Sequence, residues 1–331
     1  MKTNKFYPVI TALLVVIFTT CAQGKKSKTK EEMNIKFNQI KNLHKKIQHY
    51  PSEPIYTIEA NQSGCFYELY VNDILFFKHF EQTGLLGHTI SINDAILRSG
   101  KQEVTVKLYP LGQTEVERFD TFTKNARIEV KIEKYDIQVE DSDEKVVTLK
   151  IPEASARSKN DIKIEGLPYY EHTFTFNAEV PYKIKGWSES QDLTKMDQKV
   201  LEERVLHAYK EYRKLFVRKN AKQIEDITLT KEFEIAQSNY FYMKNSKELA
   251  EEYSSYLDFI EVLPIENYEM KLYANGKIVK LESKQFENVN NNSALISINE
   301  KKYDNELVKM YLFHGLSFHL PKGSNKLEII R

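Results

Sequence analysis

Tyr268-Glu-Met-Lys-Leu-Tyr-Ala-Asn-Gly-Lys-Ile-Val-Lys-Leu281 decides how the second half of this chain is read. Two alternating apolar and polar runs flank Asn275-Gly276. Both turn residues tolerate positive φ, so the stretch predicts a β-hairpin with a type I′ turn. Further short strands are expected at 294–298, 308–313, 316–320 and 327–330, which together make a twisted antiparallel sheet. Working backwards from the hairpin, the period changes. Leu201, Val205, Ala208, Tyr212 and Leu215 recur at helical spacing, behind Asp192 or Thr194 as caps. Lys219-Asn220 breaks that helix. A short helix at 221–227 is expected next. Another starts at Thr230, with Phe233, Ala236, Tyr240 and Met243 on one face. Ser246 caps a fourth, carrying Leu249, Tyr253, Tyr256 and Ile260, and Pro264 stops it. Helices first and a meander afterwards predict an α+β domain over 188–331.

The region 55–187 reads differently. Short alternating runs occur at 55–58, 65–71, 74–80, 89–92, 101–109, 127–132, 146–151 and 173–176. Asn72-Asp73 joins two of them as a hairpin turn. In the run at 101–109, Val104, Val106 and Leu108 point one way, while Thr105 and Lys107 point the other. The fold class expected for the whole chain is mainly β plus α+β, with an N-terminal antiparallel β-sandwich. The segment Ile96-Leu-Arg-Ser-Gly-Lys-Gln-Glu-Val-Thr-Val106 resembles the Gly-Lys-then-strand segment of bacterial jelly-roll and immunoglobulin-like accessory domains. The order of elements over 188–331 is similar to the cone-shaped NTF2-like fold, in which a long first helix packs into a curved sheet. That resemblance implies a pocket, used by some members for catalysis and by others for binding.

At the start of the chain, Lys2 and Lys5 precede an apolar run from Phe6 to Phe18. A membrane span needs about 20 apolar residues and a signal-peptide core about 7–15, so this run predicts a signal peptide over 1–20. Phe18-Thr19-Thr20-Cys21 resembles the lipobox of bacterial lipoprotein precursors. The resemblance implies diacylglycerol on the Cys21 thiol and a new N-terminus there. Ordinary cleavage after Ala22 is the alternative. Residues 21–54 then read as a basic tether or a short helix. Met33, Phe37, Ile40, Leu43 and Ile47 share a helical face, and Pro51 and Pro54 end it.

Composition narrows the chemistry. The 331 residues are 41% hydrophobic and 29% charged, which is ordinary for a globular chain. The net charge of +1 becomes −1 once Lys2 and Lys5 are removed with the signal, so nucleic acid is not the expected partner. Cys65 lies in an aromatic run and reads as a small buried hydrophobe. His314 and His319 are the histidine pair considered for a pocket. Neither His-x-His on a strand nor His-x3-His on a helix occurs, so no metal site and no cofactor are expected. Asp141-Ser-Asp-Glu144 lacks the glycine and distal glutamate of a calcium loop. Aromatics are plentiful, with 20 Tyr and 18 Phe. Tyr67, Tyr70 and Phe77 of the first hairpin are candidates for an exposed ligand platform. No catalytic residue is assigned. The expected protein is a lipid-anchored lipoprotein of the bacterial cell envelope, in the inner or outer membrane. It would act as a non-enzymatic binding or accessory module with a protein partner, an immunity factor being one version of this. An enzyme using the C-terminal pocket and a glycan-binding surface lipoprotein are the alternatives.

Overall fold

The computed structural model describes residues 37–81, 88–152, 162–241, 247–303 and 306–331. The signal peptide expected over 1–20, Cys21, Met33, Met243 and Ser246 lie outside the described residues. The chain divides into two compact units. One is His49–Lys185; the other joins the described part of the first 48 residues to Gly186–Arg331. The chain is mainly β, with its α-helices in the second unit. Among the described residues no helix is long and apolar enough to cross a membrane.

The first unit contains strands β1 (Pro54–Ser63), β2 (Phe66–Val71), β3 (Ile74–His79), β4 (His88–Ser91), β5 (Gly100–Tyr109), β6 (Gly112–Gln113), β7 (Arg118–Phe119), β8 (Arg127–Asp136), β9 (Glu144–Ile151) and β10 (Tyr170–Ala178). They form antiparallel sheets ordered β4-β1-β8-β9 and β10-β5-β2-β3, with β6 and β7 as a small ribbon. Alternation sets the faces. Val104, Val106 and Leu108 are buried, while Thr105 and Lys107 keep part of their surface in solvent. The β2–β3 turn is the one the sequence predicts, with φ of 51° at Asn72 and 60° at Asp73. The two sheets meet where the Tyr56 ring of β1 lies 5.6 Å from Phe176 of β10. The Tyr56 hydroxyl also accepts from the Glu179 amide at 2.8 Å.

In the second unit, α1 (Gln198–Val217), α2 (Ala221–Ser238) and α3 (Lys247–Tyr256) come first. Strands β11 (Glu261–Val262), β12 (Tyr268–Tyr273), β13 (Ile278–Ser283), β14 (Ile296–Tyr303), β15 (Glu306–Phe313), β16 (Ser317–His319) and β17 (Glu328–Ile330) follow. The sheets run β11-β14-β15 and β12-β13-β16-β17. Leu201, Val205, Tyr209 and Phe216 of α1 pack with Val279, Leu281, Leu316 and Phe318 in one core. Tyr209 is the central bolt. Its hydroxyl accepts from the Leu281 amide at 3.0 Å and lies 2.5 Å from the Leu316 carbonyl, to which it donates.

Several expectations need correction. The expected fourth helix ends at Tyr256, and Ile260 lies beyond it, its amide donating to the Ile298 carbonyl at 2.9 Å. α1 is capped by Asp197, which accepts from the Val200 amide; Asp192 instead caps a single 3-10 turn at Leu193–Lys195. The helices expected at 221–227 and from Thr230 are one helix, α2. Threonines at the junction suggest a break, but the Thr228 hydroxyl donates back to the Ile224 carbonyl at 2.8 Å and the residue stays helical. At the β12–β13 hairpin the left-handed run begins one residue early: Ala274, Asn275 and Gly276 have φ of 54°, 55° and 78°. Gly276 carries a second constraint. A Cβ there would sit 2.5 Å from Thr194 Cγ2, because the Gly276 carbonyl accepts from the Leu193 amide at 2.8 Å.

Residues 37–48 belong to the second unit's core and do not hang free as a tether. Phe37, Ile40 and Leu43 are buried there, around a 3-10 helix at Ile40–Lys45. Side chains of α2 hold the segment. Glu225 Oε1 accepts from the Gln39 and Ile40 amides at 2.6 and 2.9 Å. Gln237 brackets Gln48, accepting from its amide and donating to its carbonyl, both at 2.8 Å.

Candidate functional site

Two places in the molecule gather chemically capable side chains. The first is a partly open cavity of about 180 Å³ within the second unit. Helical spacing builds its walls. Tyr212 and Phe216 are one turn apart on α1, Tyr253 and Tyr256 one turn apart on α3, and Ile224, Thr228, Lys231, Glu232 and Ile235 line one side of α2. Phe37, Leu257, Asn291, Ile329 and the run Phe313-His-Gly-Leu316 complete the lining.

His314 follows β15 directly and is 9% exposed. Its Nε2 pairs with the Ser297 hydroxyl at 2.8 Å, and its ring sits edge-on to Phe216 at 4.5 Å. Burial, and then the Lys231 charge, push its pKa down to about 3. The imidazole is therefore neutral near pH 7 and far from the pKa that suits a general base. Its hydrogen-bond partner is a hydroxyl, not a carboxylate. His319, on β16, is not in the cavity lining; its Nδ1 pairs with the Ser190 hydroxyl at 2.6 Å. The turn at Gly315 thus sends the two histidines to different places.

Glu232 is the residue that sequence reasoning missed. In Lys231-Glu-Phe-Glu234 it reads as part of a solvated face, yet it is 4% exposed. Its Oε1 has no hydrogen-bond partner and lies 3.6 Å from Lys231 Nζ. Lys231 Nζ donates to the Gly315 carbonyl at 3.2 Å. The Tyr253 phenol is held well above its ordinary pKa, by burial first, then by the Glu232 charge and by a hydrogen bond to that carboxylate; Tyr212 is raised by burial and the Glu232 charge. Among the other carboxylates of α2, Asp226 accepts from the Gln39 side-chain amide at 2.7 Å, and Glu234 Oε2, which has no hydrogen bond, lies outside the cavity and 3.9 Å from Arg331 Nε. Glu225 caps the 3-10 segment, and Glu234 accepts from the Gly186 amide at 3.0 Å.

The second place is the outer face of β10-β5-β2-β3. Register puts Phe66 opposite Tyr109, Glu68 opposite Lys107 and Tyr70 opposite Thr105. Phe66, Phe80, Tyr109 and Tyr169 form a ladder, with successive centroids 5.6, 5.3 and 5.3 Å apart. Glu68 accepts from the Tyr70 and Tyr109 hydroxyls at 2.9 and 3.0 Å. Lys107 Nζ stands 4.5 Å above the Tyr70 ring. Tyr109 and Tyr169 both have raised pKa values, from burial first and then from Glu68 and Glu171.

Of the three platform candidates, only Tyr70 lies on this face. Tyr67 and Phe77 are 1% and 6% exposed and pack in the core, their rings tilted and their centroids 6.0 Å apart. One residue of phase separates the two sets, which is the whole difference between a core ring and a displayed one. Phe66 and Phe80 belong to the same aromatic run, while Tyr109 and Tyr169 come from β5 and the loop before β10.

The remaining candidates are structural. The Cys65 thiol is buried, points toward the Arg127 carbonyl at 3.6 Å, and has its pKa pushed up to about 12 by burial. It is not a thiolate near pH 7. In the acidic loop, the Ser142 hydroxyl accepts from the Asp136 amide at 2.8 Å and closes the turn around Asp141-Ser-Asp-Glu144. Among the described residues no group of three or more His, Cys, Asp or Glu side chains is placed to hold a metal. No protein-family model, no curated protein and no solved structure matches the chain.

Proposed function

We propose that this chain is a lipid-anchored lipoprotein of the bacterial cell envelope that binds a protein partner and performs no catalysis. The ring ladder on the outer face of β10-β5-β2-β3 carries the reading. It offers four adjoining aromatic rings with Glu68, Lys107 and Glu171 among them. Aromatic surface of this kind supplies contact area at little cost in side-chain entropy. The first unit is read as an immunoglobulin-like or jelly-roll-like sandwich, supported by the Tyr56–Phe176 contact between its sheets. The second unit is read as an NTF2-like cone, supported by the packing of α1 on β13 and β16.

The enzymatic alternative is weakened at the histidines it relies on. Each pairs with a serine hydroxyl, and His314 is held neutral. Lipid on Cys21 supplies the anchor.

Two measurements test this. Cys21→Ser should release the protein from the membrane fraction; unchanged membrane partition would remove the anchor. Affinity capture from envelope extracts, with the chain beginning at Lys25, should retain one protein at mild salt. Retention of glycan alone would favour the glycan-binding reading, and no retention would end the protein-partner reading.

A further inference from the structure

The cavity among α1, α2 and α3 joins three features that belong to recognition of a positive charge. Its walls are aromatic, with Tyr212, Phe216, Tyr253 and Tyr256 among them. Its floor holds a buried carboxylate with one oxygen lacking a hydrogen-bond donor. Its volume, about 180 Å³, exceeds the roughly 150 Å³ that suffices for a benzene-sized molecule. Ring faces attract cations, and a buried acceptor without a donor is costly to leave unmet. We propose that this cavity binds a small primary ammonium compound with a flat apolar body, its –NH3+ donating to Glu232 Oε1 and its body lying against the rings.

The neighbouring charges decide between ligand classes. A carboxylate ligand would meet the like charge of Glu232, and a neutral molecule without a donor would leave Oε1 without a hydrogen bond, with only the Lys231 charge 3.6 Å away. A quaternary ammonium has no N–H to give Oε1. Lys231 is the built-in competitor. Its Nζ is 3.6 Å from Oε1, beyond hydrogen-bond range, and it already donates to the Gly315 carbonyl. The ligand ammonium therefore adds the short, charge-assisted contact that Lys231 does not make. His314 adds no positive charge to repel it, being held neutral by its buried position. This inference is independent of the protein partner proposed above, since it concerns the interior of the second unit.

Benzylammonium is the probe, with benzyl alcohol as its uncharged counterpart. Both are titrated into the full chain and followed by thermal shift and calorimetry, with sodium chloride matched to the ammonium salt. Benzylammonium should bind and raise Tm; benzyl alcohol and salt should not. Glu232→Gln should weaken benzylammonium at least about tenfold. Lys231→Met should tighten it by removing the competitor. No benzylammonium binding, equal binding of benzyl alcohol, or unchanged affinity in Glu232→Gln would overturn the proposal. If Glu232→Gln does not fold, Lys231→Met decides: tightening supports the proposal and unchanged affinity contradicts it.

Discussion

On the outer face of β5, Lys107 and Tyr109 keep part of their surface in solvent and interact with neighbours one strand away. On α2, Glu225, Glu232, Glu234 and Gln237 are buried, and three of them serve partners far away in the chain. Glu225 reaches Gln39 and Ile40, Glu234 reaches Gly186, and Gln237 reaches Gln48. The first region uses polar groups to decorate a sheet. The second uses them as staples through an interior. Burying a carboxylate is costly unless donors meet it, and these distant amides do so for Glu225 and for one oxygen of Glu234, so the stretch 232–238 of α2 is buried on nearly every side without being apolar.

The contrast is sharpest in acid, where the second unit should weaken through His314. The sign follows from its folded pKa of about 3, below the ordinary 6.5. Between those values the unfolded chain takes up a proton that the folded protein refuses. Stability is therefore full above pH 6.5 and falls as the pH drops through this window, by about 1.4 kcal/mol per unit. Denaturant unfolding at pH 7.5 and pH 5 should show a loss of about 2 kcal/mol from this residue, with a correspondingly smaller loss in His314→Gln. Identical pH profiles for the two proteins would mean that the imidazole titrates normally.

The staple at residue 225 should carry a larger effect than that pH change. Glu225→Ala leaves the Gln39 and Ile40 amides without their acceptor, and should destabilise the second unit by about 3 kcal/mol. Amide exchange should show residues 37–48 losing protection while Val104 and Val106 of the first unit keep theirs. Equal effects on both units would erase the comparison.

Smaller than this are the effects at the turn residues. Gly276→Ala should cost about 2 kcal/mol, because φ is +78° and the new methyl would meet Thr194. Ala274→Gly, two residues earlier, should change stability by less than about 0.5 kcal/mol. There the relief of a left-handed alanine is offset by lost burial and a freer unfolded chain. A urea titration of both variants checks the pair.

What could be seen in the sequence follows the range of each interaction. Strand alternation, the Asn72-Asp73 turn and the change from β to helix near 188–198 are local, and they read directly. Phase was harder. Tyr67, Tyr70 and Phe77 belong to one aromatic run, and the run alone does not say which member faces the core. The buried role of α2 was invisible because its partners lie up to 189 residues away. Lys231-Glu-Phe-Glu234 has the composition of a wet surface, and only the arrival of α1, α3 and the turn at Gly315 makes it a cavity wall. Tyr169 could not have been grouped with Phe66 before the strand order was known.

The protein partner proposed above would dock on the displayed rings and not in the hidden cavity. Capture from envelope extracts with three proteins tests this directly: the wild type, a Phe80→Ala/Tyr109→Ala double variant and His314→Gln. The wild type and His314→Gln should retain the same protein, while the double variant, still folded by circular dichroism, retains none. Retention by the double variant equal to the wild type, or its loss in His314→Gln alone, would contradict the account.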